Sequence, residues 1–177
     1  EFQPVDLEEV RGVLAPGGLL ASGLEGFESR PGQVEMALEV ARSLNENGVV
    51  AAEAGTGIGK SFAYLVPCIL WAVKNRQRVV VSTGTINLQE QLVEKDLPFL
   101  AGLLPVEFEY SLIKGRHNYA CKRRIMEAPE QFELLPEEAD DQELLRDLIE
   151  WSKSTSDGSL ADLAIRPRLC HQSRLQI

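Results

Sequence analysis

The eight residues Ala54-Gly55-Thr56-Gly57-Ile58-Gly59-Lys60-Ser61 constrain this 177-residue chain more than any other feature. Val49 to Ala52 is a short apolar run leading into them, and Lys60 to Asn75 has the length and composition of a buried helix. Glycines let the backbone turn with its amides facing inward, at the positive end of the following helix. Strand, loop and helix in that order is the context a phosphate-binding loop requires. In this reading the amides from Ala54 through Gly55, Thr56, Gly57, Ile58 and Gly59 form a nest for phosphate oxygens. Lys60 adds a mobile positive charge for the β and γ phosphates, and the Ser61 hydroxyl is placed to ligate Mg²⁺. Ala54 occupies the position that the strict GxxxxGK[ST] pattern gives to glycine, a departure that the relaxed pattern accepts.

The rest of the chain alternates. Ala37, Val40, Ala41 and Leu44 recur at helical spacing after Pro31, and Asn47-Gly48 is a stop signal. Arg78 to Ser82, with three consecutive valines, predicts a strand covered on both faces, and Phe108 to Ile113 predicts another. Between them Thr85 to Lys95 predicts a helix that Asp96-Leu97-Pro98 closes. Strands alternating with helices predict βαβ units, hence the α/β class, with a parallel sheet flanked by helices. The first thirty residues, rich in proline and glycine, predict an irregular lead-in with at most one short helix.

Charge sharpens the division. The net charge is -9, yet residues 126 to 150 hold ten acidic side chains and one basic one, Arg146, leaving seventeen of each sign elsewhere. The acidity is therefore local and compatible with a basic patch at Lys114 to Arg124. Leu144, Leu148 and Trp151 mark one stripe of an amphipathic helix in the acidic segment. No apolar run reaches eighteen residues, which argues against a membrane span, and the acidic start lacks a secretory pattern, so a cytoplasmic protein is expected. Cys68, Cys121 and Cys170 are odd in number and widely spaced, so reduced thiols or metal ligands are expected rather than disulfides. Cys68, among Leu65 and Leu70, reads as a core residue.

The loop by itself does not separate a helicase from a kinase, a transporter ATPase or a GTPase. Three further segments carry a family resemblance. Phe27-Glu28-Ser29-Arg30-Pro31-Gly32-Gln33 resembles the adenine-sensing element of superfamily 2 helicases, which makes Arg30 and Gln33 nucleotide-binding candidates; a glutamine amide donates and accepts at once, matching the adenine edge. Ser82 to Leu92 resembles helicase motif Ia, in which the hydroxyls of Thr83 and Thr85 and the amide of Gln89 would meet phosphates of single-stranded DNA. A plain N-cap at the threonine is the competing reading. Lys114-Gly115-Arg116-His117-Asn118-Tyr119-Ala120-Cys121 resembles the segment carrying the first iron-sulfur cysteine in the XPD and DinG group of DNA helicases. Basic neighbours there would favour a thiolate and offer phosphate contacts, Arg116 among them.

Together these segments are similar to a DinG-type helicase. The resemblance implies a P-loop NTPase of the RecA-like kind with an acidic helical iron-sulfur-type insertion at the carboxyl end. It implies a 5′ to 3′ DNA helicase driven by ATP and Mg²⁺, associated with DNA repair, that carries a 4Fe-4S cluster and engages single-stranded DNA. The boundaries that follow are a lead-in over 1–30, a partial first motor domain over 31–120 and a partial cluster insertion over 121–177. Cys121 would ligate the cluster and Cys170 is a candidate second ligand; a zinc site from His117, Cys121, Cys170 and His171 matches no common zinc spacing. The family's Asp-Glu-Ala-His box and second motor domain do not appear, and Glu137-Glu138-Ala139-Asp140 lacks the apolar strand such a box needs. The expectation is thus an amino-terminal fragment that binds ATP better than it hydrolyses it. The alternative is a stand-alone nucleotide-binding regulatory module whose acidic helix docks a partner protein.

Overall fold

A computed structural model describes residues 2–28, 30–132, 139–160 and 163, with side chains except over 128–145. They divide into two compact units, Glu1–Leu112 and Ile113–Ile177.

In the first unit, α1 (Leu7–Leu14) starts where the Asp6 side chain accepts a hydrogen bond from the Glu8 amide at 3.0 Å, an N-cap that satisfies one free donor of the first turn. Helix α2 (Leu19–Gly23) follows, so the lead-in holds two helices rather than at most one. Val10, Val13, Leu14 and Leu20 from this region are buried in the main core. Helix α3 (Pro31–Glu46) begins on a proline, whose missing amide hydrogen costs nothing in a first turn, and ends where Asn47 adopts the left-handed conformation at φ 53°. Helix α4 (Lys60–Asn75) begins after Gly59, at φ 79°, and buries Ala63, Leu65, Val66, Pro67, Ile69 and Leu70.

The ends of α3 and α4 are tied by one extended segment. Asn45 accepts from the Val5 amide at 2.8 Å and donates to the Val5 carbonyl at 2.9 Å. Asn75 does the same with Gln3, at 2.9 Å in both directions. Two side-chain amides thus bond alternate residues as a neighbouring strand would. At the other end, the Gln33 amide nitrogen donates to the Gly59 carbonyl at 2.9 Å. Starts and ends being both adjacent, the two helices run parallel. The Lys74 ammonium reaches Glu9 at 2.7 Å and fastens α1 to α4.

The predicted closure at Asp96-Leu97-Pro98 does not occur. Helix α5 (Ile86–Gln91) passes into a π-helical turn, Leu92–Asp96, and then into α6 (Leu97–Leu103). The Leu97 amide donates to the Leu92 carbonyl, five residues back, and Pro98 falls in the first turn of α6, where no intrahelical donor is needed.

The expected parallel sheet is absent: the described residues contain no β-strand, and their one bridge is the isolated antiparallel pair Tyr119 with Ser159. Residues 49–52, 78–82 and 108–113 form neither helix nor strand, since a strand exists only where a neighbouring backbone takes its amides and carbonyls. Among the described residues no such neighbour pairs with them, and Val49 and Val80 are 100% and 89% exposed. The α/β reading with a RecA-like sheet is therefore overturned. The apolar faces of α3 and α4, predicted to cover a sheet, close on each other and on α1.

The second unit holds a 3-10 turn, Arg116–Asn118, then α7 (Lys122–Phe132) and α8 (Ala139–Ser154). Ala120, Ile125, Leu148 and Leu163 form its small core, with Trp151 packed against it. Leu148 and Trp151 thus lie on the predicted apolar stripe; the Leu144 side chain lies outside the described ones. No helix among the described residues is long and apolar enough to cross a membrane.

Candidate functional site

Side chains from both parallel helices and the segment before α3 converge on the glycine-rich loop. Arg30, the residue before α3, donates from its guanidinium to the Gly57 carbonyl and lies 3.9 Å from the Glu28 carboxylate. Gln33, only 4% exposed, donates to the Gly59 carbonyl. The Lys60 ammonium turns back to the Ala54 carbonyl at 2.9 Å and the Gly55 carbonyl at 2.8 Å. Arg30, Gln33, Ala54, Gly55, Gly57, Gly59 and Lys60 are thus brought together, while Thr56 is exposed and Ile58 half-buried in the same loop. Gly57 and Gly59 take left-handed φ values of 82° and 79°. At Gly59 a Cβ would lie 2.2 Å from the Gln33 nitrogen, so side-chain contact and backbone conformation both require glycine.

The electrostatics favour an anion. Parallel packing sets the positive ends of α3 and α4 side by side, an unfavourable juxtaposition that a bound phosphate would relieve. Lys60 is exposed, and its two carbonyl partners are the kind of contact that phosphate oxygens displace, since bonds to a charged acceptor are stronger. Gln33 is engaged with Gly59 rather than presented to a base, so it joins the start of α3 to the loop.

Ser61, half-buried in the first turn of α4, interacts with Tyr64 one turn later. Burial is the largest effect raising the Tyr64 pKa; Ser61 pulls it back, while the Asp96 carboxylate and Cys68 push it higher. Sequence reasoning did not single out Tyr64. The available clue was the i, i+3 spacing of Ser61 and Tyr64, which puts them on one helix face.

Thr83, Thr85 and Gln89 sit around the start of α5. Thr83 donates to the Thr85 carbonyl at 3.2 Å, and Thr85 is the N-cap, accepting from the Leu88 amide at a long 3.4 Å. Thr85 is exposed, Thr83 and Gln89 half-buried.

In the second unit Arg116 and His117 are exposed on the 3-10 turn and Cys121 is half-buried. Lys114 donates to Ser159 at 2.9 Å and Lys122 to the Thr155 carbonyl at 3.0 Å, so these ammoniums pin the segment to the loop after α8. The Tyr119 hydroxyl accepts from the Lys114 amide at 2.8 Å. Cys170 and His171 lie outside the described residues. Among the described residues no group of three or more His, Cys, Asp or Glu side chains converges, so they do not make up a four-thiolate site.

Burial pushes the Cys68 thiol up to about 11. A raised thiol pKa means scarce thiolate, and alkylation at about pH 8 should run at least about tenfold slower than for free cysteine. The rate should keep climbing well above the pH at which free cysteine levels off. Peptide mass spectrometry after timed iodoacetamide treatment checks this; a Cys68 rate equal to that of free cysteine would overturn its partly buried placement on α4.

Comparison with known proteins places relatives beside this geometry. The chain is 37% identical over 150 residues, 83% of its length, to the ATP-dependent DNA helicase YoaA of Escherichia coli. It is 47% identical over 104 residues, 56% of its length, to the ATP-dependent helicase DinG of Mycobacterium tuberculosis H37Rv. It is 33% identical over 147 residues, 81% of its length, to the 3′-5′ exonuclease DinG of Bacillus subtilis. These alignments cover 22%, 16% and 15% of the respective relatives, so the chain spans about a fifth of their length or less. No protein-family profile matches it.

Proposed function

We propose, because this chain belongs to the DinG-like family of helicases, that its glycine-rich loop binds Mg-ATP for a DNA helicase. The observation that carries the proposal is the convergence of Arg30, Gln33 and Lys60 on one loop at the joint start of two parallel helices. The loop amides and the positive helix ends would hold the phosphates, and Lys60 would exchange its two carbonyls for β and γ oxygens. Ser61 would hold the Mg²⁺, which neutralises phosphate charge when bound. Gln33 would fix the loop from the side of α3, and its amide would read adenine only on leaving Gly59.

Thr83, Thr85 and Gln89 in the first unit and Arg116 in the second would supply sequence-independent contacts to single-stranded DNA. Cys121 is offered as one thiolate of an iron-sulfur cluster whose remaining ligands are not among the described residues, and no step is assigned to that cluster. Hydrolysis and 5′ to 3′ unwinding are proposed for the whole protein, of which this chain is the nucleotide-holding part.

Titration with a fluorescent ATP analogue and with a dye-labelled oligothymidylate tests the proposal. Saturable, Mg²⁺-dependent nucleotide binding is expected. DNA binding should weaken steeply with salt, as phosphate contacts release counterions. Absence of nucleotide binding would overturn the loop assignment, and absence of DNA binding at low salt would overturn the single-strand assignment.

A further inference from the structure

Two peptide planes of the glycine-rich loop are gripped from the same side. Arg30 donates to the Gly57 carbonyl and Gln33 to the Gly59 carbonyl, the latter at 2.9 Å, and both side chains come from the start of α3. Among the described residues no peptide bond is cis. In a trans peptide the carbonyl of one residue and the amide of the next share a plane and point in opposite directions. A carbonyl held toward α3 therefore turns the following amide away from α3, Ile58 after Gly57 and Lys60 after Gly59. Among the described residues no backbone carbonyl takes either amide. Gly57 and Gly59 are left-handed at φ 82° and 79° while Ile58 between them is not, the alternation that gathers successive amides on one concave side.

The two planes differ in how they are held. The Gly59 carbonyl also accepts from the Ala63 amide at 3.3 Å, in the first turn of α4, so its plane has two bonds. Apart from its chain neighbours, nothing lies within 4 Å of where a Gly57 Cβ would stand, so packing does not hold that plane and the Arg30 bond does. The Arg30 guanidinium, which also lies 3.9 Å from the Glu28 carboxylate, is thus engaged by a carbonyl and partly offset in charge.

We propose that Arg30 is a positioning residue for the phosphate nest: by holding the Gly57 carbonyl it sets the Ile58 amide toward the phosphates, and it touches no part of the nucleotide. This rests on the loop reading above and deepens it. A plane next to glycine turns over at little cost. Released from Arg30, it would point a carbonyl oxygen at the phosphates in place of a donor.

The test uses competition against a fluorescent ATP analogue to measure the affinity of the 177-residue chain and of Arg30→Ala, Arg30→Lys and Lys60→Ala for Mg-ATP and for inorganic tripolyphosphate, which has no base or sugar. Arg30→Ala should weaken both ligands by the same factor, about tenfold, the effect of one hydrogen bond to a charged group. Arg30→Lys, which keeps a donor, should recover part of the loss. In the ¹⁵N-labelled chain, saturating tripolyphosphate should move the Ile58 and Lys60 amide protons downfield; in Arg30→Ala the Ile58 movement should vanish and the Lys60 movement remain. A loss confined to ATP would mean that Arg30 meets the nucleoside, and an Ile58 amide that still moves in Arg30→Ala would mean that Arg30 supplies only charge; either overturns the positioning role. A much lower melting temperature for Arg30→Ala would reassign Arg30 to stability and overturn it too. If Lys60→Ala loses both ligands while Arg30→Ala keeps both, the positioning role falls and the loop reading stands. If the unsubstituted chain binds neither ligand, both are overturned.

Discussion

Lys60→Ala is expected to weaken Mg-ATP binding by at least about 100-fold, the loss of more than one charge-assisted hydrogen bond at about 1.5–3 kcal/mol each. The side chain is exposed, and its partners are carbonyls of an exposed loop, so the substitution removes ligand contacts without opening the core. Thermal unfolding should therefore move by less than about 2 °C, as for surface substitutions generally. Equilibrium titration with a fluorescent ATP analogue, paired with a circular dichroism melt, checks both halves. Unchanged affinity would remove Lys60 from the site, while a large drop in melting temperature would reassign it to stability.

The second large effect lies far from the loop in sequence. Leu14, fully buried at the end of α1, is expected to cost about 2–5 kcal/mol when replaced by alanine, through lost transfer energy and the cavity left behind. Typical domains hold only about 5–15 kcal/mol, so this one change would remove a large fraction of the total. Urea denaturation should show the midpoint falling sharply with the slope unchanged. A midpoint within error of the unsubstituted chain would mean that the first helix is dispensable to the fold.

That second prediction contradicts the impression left by the sequence. Pro4, Pro16 and the glycines between residues 17 and 26 suggested an irregular approach, whereas Val10, Val13 and Leu14 lie on one face of a short helix and enter the main core. Proline and glycine mark only where helices stop; they do not say whether the pieces between them are buried. Local chemistry was legible wherever the decision was local. The Asn47-Gly48 stop, the glycine that launches α4 and the full span Lys60–Asn75 all depend on residues within a turn or two.

Pairing was not legible, because it depends on distant backbone. The valines at 79–81 satisfy every residue preference of a buried strand, yet among the described residues they form no strand and are largely exposed, because nothing pairs with them. Asp96-Leu97-Pro98 misled for a related reason. Proline needs only a missing donor, and a π-turn provides that inside a continuing helix as well as a helix end does. At the site, the motif pointed to the loop, but Gln33 as a brace on Gly59 could not be read from it. That relation joins elements 26 residues apart.

The asparagine clamps have a mechanical consequence. Asn45 and Asn75 grip residues 5 and 3 through four hydrogen bonds, at the far ends of the two parallel helices from the loop. The opposite ends are held across the loop by two side chains, the Gln33 amide on Gly59 and the Arg30 guanidinium on Gly57. The pair is therefore built like tweezers with the heel more heavily bonded than the tip, by four hydrogen bonds against two. Small angular play at the heel becomes displacement at the tip, where Gly59 and Lys60 lie, so jaws of this kind yield to a ligand without loosening the bundle behind them.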